Sequence, residues 1–146
     1  MATLTTTATE SVTINGKVYG NTITKTHASI EQVYQQVVTV GTSVQEIIGF
    51  AGTEKAGELA DGKLKYLRIT NTGANYVEIF FDILGSGNDT AAFKVDPGCS
   101  MIVTHDEVGF GTAAGTTTAI GSQLDAIHGK ANTAAVALEI FIGLTA

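Results

Sequence analysis

Hydrophobic and polar residues alternate along much of this chain with the period of two that β-strands require. The clearest run places Val77, Ile79 and Phe81 on one face and leaves Phe80 on the other face, among acidic neighbours. The final run, residues 133–144, alternates in the same way and predicts a central strand. We expect the more apolar face of each run to pack into a hydrophobic core.

Turn-forming residues divide these runs at intervals of roughly 8 to 12 residues, a spacing typical of β-sandwiches and barrels. Asn15-Gly16 lies between apolar residues. It predicts a hairpin with a type I′ turn, because both central positions of that turn need positive φ. Residues 33–40 and 44–50 predict a second hairpin. These patterns predict an all-β fold, an antiparallel β-sandwich of jelly-roll type.

Three segments depart from strict alternation. Residues 51–62 and 105–115 have no period and are rich in glycine, so they predict surface loops. Residues 28–36 also fit a helix, because apolar residues recur at helical spacing after Ser29, which is suited to an N-cap. The β-branched residues that follow favour a strand, and the helix stays an alternative.

The first eleven residues are mostly threonine and alanine. They predict an extended N-terminal arm, residues 1–11, that becomes ordered when it meets another molecule. Residues 12–146 then form a single domain, since a chain of 146 residues suits one hydrophobic core. The arm lacks the basic and apolar regions of a secretory signal, and no apolar run reaches the roughly 20 residues that span a bilayer. We expect a protein made in a cytoplasm.

The charge balance argues against two classes of partner. Eight Lys and Arg against fourteen Asp and Glu give a formal net charge of −6, so phosphate backbones and anionic lipids should repel the chain. We therefore expect neither a nucleic acid nor a membrane as partner. The single cysteine, Cys99, cannot form an internal disulfide and is expected to be a small packing residue.

The densest polar group in the sequence is His105-Asp106-Glu107, three residue types that bind metals or exchange protons. Consecutive residues of a strand point in opposite directions, so these side chains do not converge. The three histidines of the chain lie far apart in sequence and are expected at a surface or an interface. No catalytic residue, metal site or cofactor is predicted, and we do not expect an enzyme.

Two stretches carry a resemblance to a known group of proteins. Residues 67–103 combine Leu-Arg-Ile-Thr-Asn-Thr-Gly-Ala-Asn, an alternating strand, a Gly-rich turn and Phe-Lys-Val-Asp-Pro-Gly-Cys-Ser before an apolar strand. This resembles the sandwich modules of tailed-bacteriophage structural proteins. Residues 124–143, two strands joined by a small polar turn, are similar to the closing hairpin of such modules.

The resemblance implies a virion protein assembled in the host cytoplasm, either a capsid decoration (cement) protein or a small tail component. Its partner would be the major capsid protein or another virion protein. Such a building block is expected to be a homo-oligomer, a trimer being one arrangement.

The predicted interface consists of apolar side chains on outward strand faces and of threonines in the arm. The outward apolar residues have an alternative role, which is packing beneath loops of the same chain. The predicted interface residues are Thr5, Thr6, Thr7, Phe80, Leu84 and Phe141.

The competing function is a tail-associated or host-recognition module that binds carbohydrate, since sandwiches carry such sites on their loops. Sugar sites usually need exposed aromatic rings. The chain has no tryptophan, so only its four tyrosines, Tyr19, Tyr34, Tyr66 and Tyr76, are available for that role.

Overall fold

All regular elements that the structure describes are β-strands. A computed structural model describes residues 2–51, 57–60, 63–83, 90–104, 109–113, 116–119 and 124–145. The strands are β1 (Ala2–Thr9), β2 (Val12–Ile14), β3 (Lys17–Tyr19), β4 (Thr22–Ile30), β5 (Gln32–Val40), β6 (Gln45–Ala51), β7 (Glu58–Ala60), β8 (Leu64–Asn71), β9 (Val77–Ile83), β10 (Thr90–Val95), β11 (Ser100–Thr104), β12 (Gly109–Ala113), β13 (Thr116–Ala119), β14 (Leu124–Ala131) and β15 (Val136–Leu144). The all-β prediction is confirmed. The helix considered for residues 28–36 is wrong, because that stretch spans the junction of β4 and β5.

Two sheets build the body of the molecule. One has four strands in the order β11-β8-β15-β5, and the other has five in the order β10-β9-β14-β6-β7. All neighbouring strands are antiparallel except β6 and β7, which are parallel. The final strand, β15, is paired on both sides, with β5 and with β8, so the prediction of a central strand is confirmed.

The hydrophobic core draws on one face of each sheet. Ile69 and Ile140 of the four-stranded sheet and Ile79, Phe81 and Ile127 of the five-stranded sheet belong to one continuous buried cluster. The two sheets therefore enclose a common core in a sandwich-like arrangement. The faces that the alternation assigned to the core in β9 and β15 are the buried ones.

Consecutive strands of the body often lie in different sheets. β5 and β6 do so, and the hairpin predicted for residues 33–40 and 44–50 is therefore wrong. The two strands at the end of the chain, β14 and β15, are likewise in different sheets instead of forming a closing hairpin. A strand with one apolar face buries that face equally well in either sheet, so alternation does not select its partner.

Three local predictions also need correction. Within the loop predicted for residues 51–62, β7 forms a short parallel pair with β6. Within the loop predicted for 105–115, β12 pairs with β13. Cys99 is exposed and is not a packing residue, because it lies in the turn before β11 rather than on an inward strand face.

One buried polar side chain stabilises the turn that connects β8 in one sheet to β9 in the other. Asn71 is fully buried at the end of β8. Its Nδ2 donates hydrogen bonds to the carbonyls of Asn75 and Val95, at 2.8 and 3.0 Å, and its Oδ1 accepts one from the backbone N–H of Gly73 at 2.9 Å. Asn71 thus ties the turn between the two sheets to β10.

The N-terminal part of the chain forms a ribbon that extends beyond the predicted arm. β1 pairs with β4 over its whole length, and β2 pairs with β3 beyond them. Asn15 and Gly16 have φ of 51° and 76°, so the predicted turn is confirmed at the tip of the ribbon. We call residues 2–30 the arm. The boundary predicted at residue 11 falls inside it, and β1 takes its strand partner from β4 of the same chain.

Candidate interaction surface

The root of the arm rests on the outer face of the four-stranded sheet. Ile30 is buried there, and Leu4 is half-buried beside it. Both side chains lie over Gly143 of β15, where a Cβ would come within 3.3 Å of Leu4 Cδ2 and 3.6 Å of Ile30 Cδ1. Because Gly143 has no side chain, Leu4 and Ile30 of the arm can pack directly against β15 at this position.

A buried histidine holds the arm to the neighbouring edge of the same sheet. His27 of β4 is 2% exposed, and its Nε2 is hydrogen-bonded to Thr104 Oγ1 of β11 at 2.6 Å. Its ring lies 6.5 Å from the ring of Tyr66, which meets the edge of Phe141 at 5.8 Å. The prediction that the histidines lie at a surface or an interface is wrong for His27, which is buried within the chain.

Substituting Gly143 tests this packing of the arm against β15. Gly143→Val is expected to push Leu4 and Ile30 away and to lower the free energy of unfolding by about 1–3 kcal/mol, the usual cost of overpacking. Urea unfolding measures the loss, and tryptic cleavage at Lys25 reports whether the arm root has loosened. Ala137→Val, on the same outward face of β15 but away from the arm, is the control. Equal effects of the two variants would contradict the role of Gly143 in packing the arm against β15.

A groove of about 300 Å³ runs between the arm and the sheet beneath it. Its lining residues are Leu4, Thr5, Thr6, Thr7, Tyr66, Arg68 and Phe141. Arg68 forms an ion pair with Glu139 on the same sheet face, and both side chains are about one-third exposed. The groove is thus lined by the aromatic rings of Tyr66 and Phe141, and the charge of Arg68 at its edge is paired within the chain.

The structure brings four of the predicted interface residues together and places Phe80 on the other sheet. Thr5, Thr6, Thr7 and Phe141 share the groove. Phe80 lies on the outer face of the five-stranded sheet, half-buried, in register with Ala92 on one side and His128 on the other. Leu84 lies outside the described residues.

The most exposed apolar residues of the arm were not among the predicted ones. Five large apolar side chains of the arm are 48–65% exposed: Val12, Ile14, Val18, Tyr19 and Ile23. Every residue from 7 to 24 is exposed. In the register of β2 and β3, Val12 lies opposite Tyr19 and Ile14 opposite Lys17, so these four side chains share one face. We call Val12, Ile14 and Tyr19 the tip patch.

Sequence reasoning missed the tip patch because it assigned residues 12–23 to the body. The threonine pattern contained the information, since the two threonine-rich runs 3–9 and 22–26 flank the Asn15-Gly16 hairpin. In the structure these runs face each other, and the hydroxyls of Thr9 and Thr22 lie 3.2 Å apart. Two matching strand patterns around a hairpin turn predict a single ribbon.

The arm also differs from the rest of the chain in charge. Residues 1–30 hold Lys17, Lys25 and Glu10, which give a formal charge of +1. The other six basic and thirteen acidic residues give the remainder −7, in agreement with the total of −6. The arm is therefore the part of the chain that a further acidic surface repels least.

Three of the four tyrosines are poor platforms for a sugar. Tyr66 is buried, and Tyr34 packs against the core, where burial raises its pKa. Lys94 lies over the ring of Tyr76 at 4.6 Å and is hydrogen-bonded to Asp96, which raises the pKa of this lysine. Tyr19 in the tip patch is 48% exposed, and Lys17 Nζ lies 5.1 Å from the centroid of its ring.

Metal-ligating side chains are dispersed over the described part of the chain. Among the residues that the structure describes, no group of three or more His, Cys, Asp or Glu could hold a metal ion. His105, Asp106 and Glu107 lie outside those residues. The described ranges also include no helix long and apolar enough to cross a membrane.

Comparisons of the chain with protein-family models, with curated proteins and with solved structures found no match.

Proposed function

We propose that the chain is a structural protein of a tailed-bacteriophage virion, a capsid decoration protein that binds neighbouring capsid subunits through its arm. The observation that carries the proposal is the tip patch, a group of large apolar side chains exposed at the end of a projecting ribbon. Exposed apolar groups of this kind are typical of protein-binding surfaces. The chemistry required of a cement protein is adhesion, which needs such a surface and no catalytic group.

The strand pairing supports a jelly roll, a fold used by viral capsid proteins and also by lectins. Eight strands of the body pair in a nested order, in which the first pairs with the last, the second with the last but one, and so on inward. The pairs are β5 with β15, β6 with β14, β8 with β11 and β9 with β10. This is the pairing of one long antiparallel ribbon folded back on itself. When the ribbon wraps around a core, its strands fall into two sheets in the order of a jelly roll. The fold alone does not separate a capsid role from a lectin role.

The projecting part of the arm is long enough to reach onto a neighbouring subunit. Leu4 to Thr7 lie over the chain's own sheet, so the length from Thr7 to the turn at Asn15 is about 26 Å at the rise of a strand. A compact domain of this size is about 40 Å across, so the projecting part spans more than half of a neighbour of similar size. The arm also leaves strand edges available for pairing with a partner, because among the described strands β1 and β4 pair only with each other.

Many copies on a particle would each add a modest interface, and the sum would stabilise the shell. The partner in this proposal is the major capsid protein or another virion protein, and the protein acts as a homo-oligomer in the virion. The positive arm on a negative body favours attachment through the arm wherever the partner surface is acidic.

Removing the tip patch should weaken attachment to phage heads. The double variant Val12→Ser/Ile14→Ser keeps the strand pairing but removes two of the three apolar side chains, so we expect at least about a tenfold loss of affinity. Co-sedimentation with heads purified from a phage lacking this gene measures the binding. Val44→Ser, which removes an exposed valine outside the arm, is the control.

Two results would contradict the proposal. One is failure of the wild-type protein to bind the heads or to occur in purified virions. The other is a glycan-array signal that Tyr19→Ser abolishes in a protein that ignores heads, which would favour the host-recognition function.

A further inference from the structure

The two sheets of the body end on four edge strands, and three of these edges are protected. β7 has only three residues, β11 has five and follows Pro97, and β10 carries Lys94 in an ion pair with Asp96. Short strands, charges and nearby prolines are the usual devices that prevent a sheet edge from pairing with another chain. Edge pairing at these three positions is therefore discouraged.

The fourth edge, β5, has none of these devices. It is nine residues long, contains no charged residue and no proline, and follows β15 without a register shift. Among the described strands its only neighbour is β15, so from Val33 onward no described strand pairs with its other edge. A long, regular, uncharged edge is a template for a further strand.

The outward side chains of β5 are apolar as well. Val33 and Val37 are 58% and 68% exposed, with Gln35 between them. Exposed valines at both ends of a short strand segment are suited to cross-strand pairing, because β-branched side chains stabilise each other there.

We propose that β5 pairs antiparallel with β5 of a second copy of this chain, about a two-fold axis at Gln35. In this register Val33 lies opposite the partner subunit's Val37, and the same pair recurs on the other side of the axis. Gln35 meets the partner subunit's Gln35, and amide side chains can donate and accept hydrogen bonds mutually. The two four-stranded sheets become one sheet of eight strands.

The lack of charge along β5 permits a second copy in this register, and one local hydrogen bond limits which part of the edge it can use. Each chain has a formal charge of −6, and the uncharged segment 32–40 allows two copies to approach without opposed like charges. The carbonyl of Thr39 already accepts a hydrogen bond from Gln45 Nε2 at 3.1 Å, which places the available edge toward the N-terminal part of β5. A two-fold pairing also uses both edges at once, so the assembly closes as a dimer.

The pairing has a consequence for the arms. β4 ends at Ile30 and β5 begins at Gln32, so each arm leaves the body one residue from the pairing strand. A dimer would present two arms from its central region and so bind with two contacts. This consequence rests on the proposed function, whereas the pairing itself does not.

A charge-exchange experiment at the axis tests the proposal. Gln35→Lys places two lysines opposite each other across the axis and Gln35→Glu two carboxylates, so each variant is expected to dissociate at least about tenfold more readily than the wild type. An equimolar mixture of the two variants is expected to recover the dimer, because an ammonium group then faces a carboxylate across the axis. Sedimentation equilibrium of the full chain measures the mass, with Val44→Lys as the charge control.

The recovery in the mixture separates lost pairing from lost folding. A wild-type protein that is monomeric at about 100 μM, far above the dissociation constants of specific dimers, would overturn the proposal, and so would a trimer mass. Dimers that persist in both Gln35 variants, or a mixture that does not recover, would also overturn it. Dissociation caused by Val12→Ser/Ile14→Ser would assign the contact to the arm instead. Head binding is measured separately, so either proposal can fail without the other.

Discussion

Replacing Asn71 with alanine is expected to lower the free energy of unfolding by about 3 kcal/mol, because a buried polar group left without its partner costs about 1–3 kcal/mol. The substitution removes the side-chain partner of three backbone groups: the carbonyls of Asn75 and Val95 and the N–H of Gly73. Asn71 is fully buried, so water cannot replace these bonds without opening the turn.

Chemical denaturation with urea measures this loss. The control is Asn132→Ala in the turn before β15, where the asparagine side chain is exposed and its backbone N–H bonds to the carbonyl of Tyr76. That bond survives the substitution, so we expect a change of at most about 0.5 kcal/mol. A similar small change for Asn71→Ala would mean that the buried bonds do not stabilise the crossing between the sheets.

Replacing Phe81 with alanine is expected to cost about 4 kcal/mol, since truncating a buried phenylalanine removes apolar contact and leaves a cavity. Phe81 is 1% exposed and is the largest fully buried side chain of the described residues. It also meets the ring of Phe93 edge to face at 5.7 Å, a contact that the substitution removes.

The adjacent residue supplies the matched comparison. Phe80 points to the other side of the same strand and is half-buried, so Phe80→Ala should cost less than half as much as Phe81→Ala in the same urea titration. If the two losses were equal, the outer face of the five-stranded sheet would be packed like the core. The predicted role of Phe80 in an interface would then have to be abandoned.

The candidate surface could be predicted only in part. Two separate features of the sequence indicate Thr5, Thr6, Thr7 and Phe141: a threonine-rich N-terminal segment and an apolar ring on an outward strand face. The structure places them in one groove because the arm folds back over β15. Nothing in the sequence near Phe141 indicates that Leu4 and Ile30 would cover Gly143, since these residues are more than a hundred positions apart.

Local pattern was sufficient for the elements of this protein. The alternation at 77–83 and at 133–144 identified two strands and the faces that they bury. Asn15-Gly16 identified a turn, because few other residue pairs tolerate positive φ at both positions. These features depend on neighbouring residues only, and the sequence by itself determined them.

The assignment of strands to sheets was decided by the tertiary structure. The pattern of β5, β6, β14 and β15 is the same whether consecutive strands pair or cross to opposite sheets, because either arrangement buries one apolar face. The choice depends on contacts between distant residues, such as the long ladders of β15 with β5 and of β14 with β6. For the same reason, only the tertiary structure distinguishes the open edge of β5 from the protected edges of the other strands.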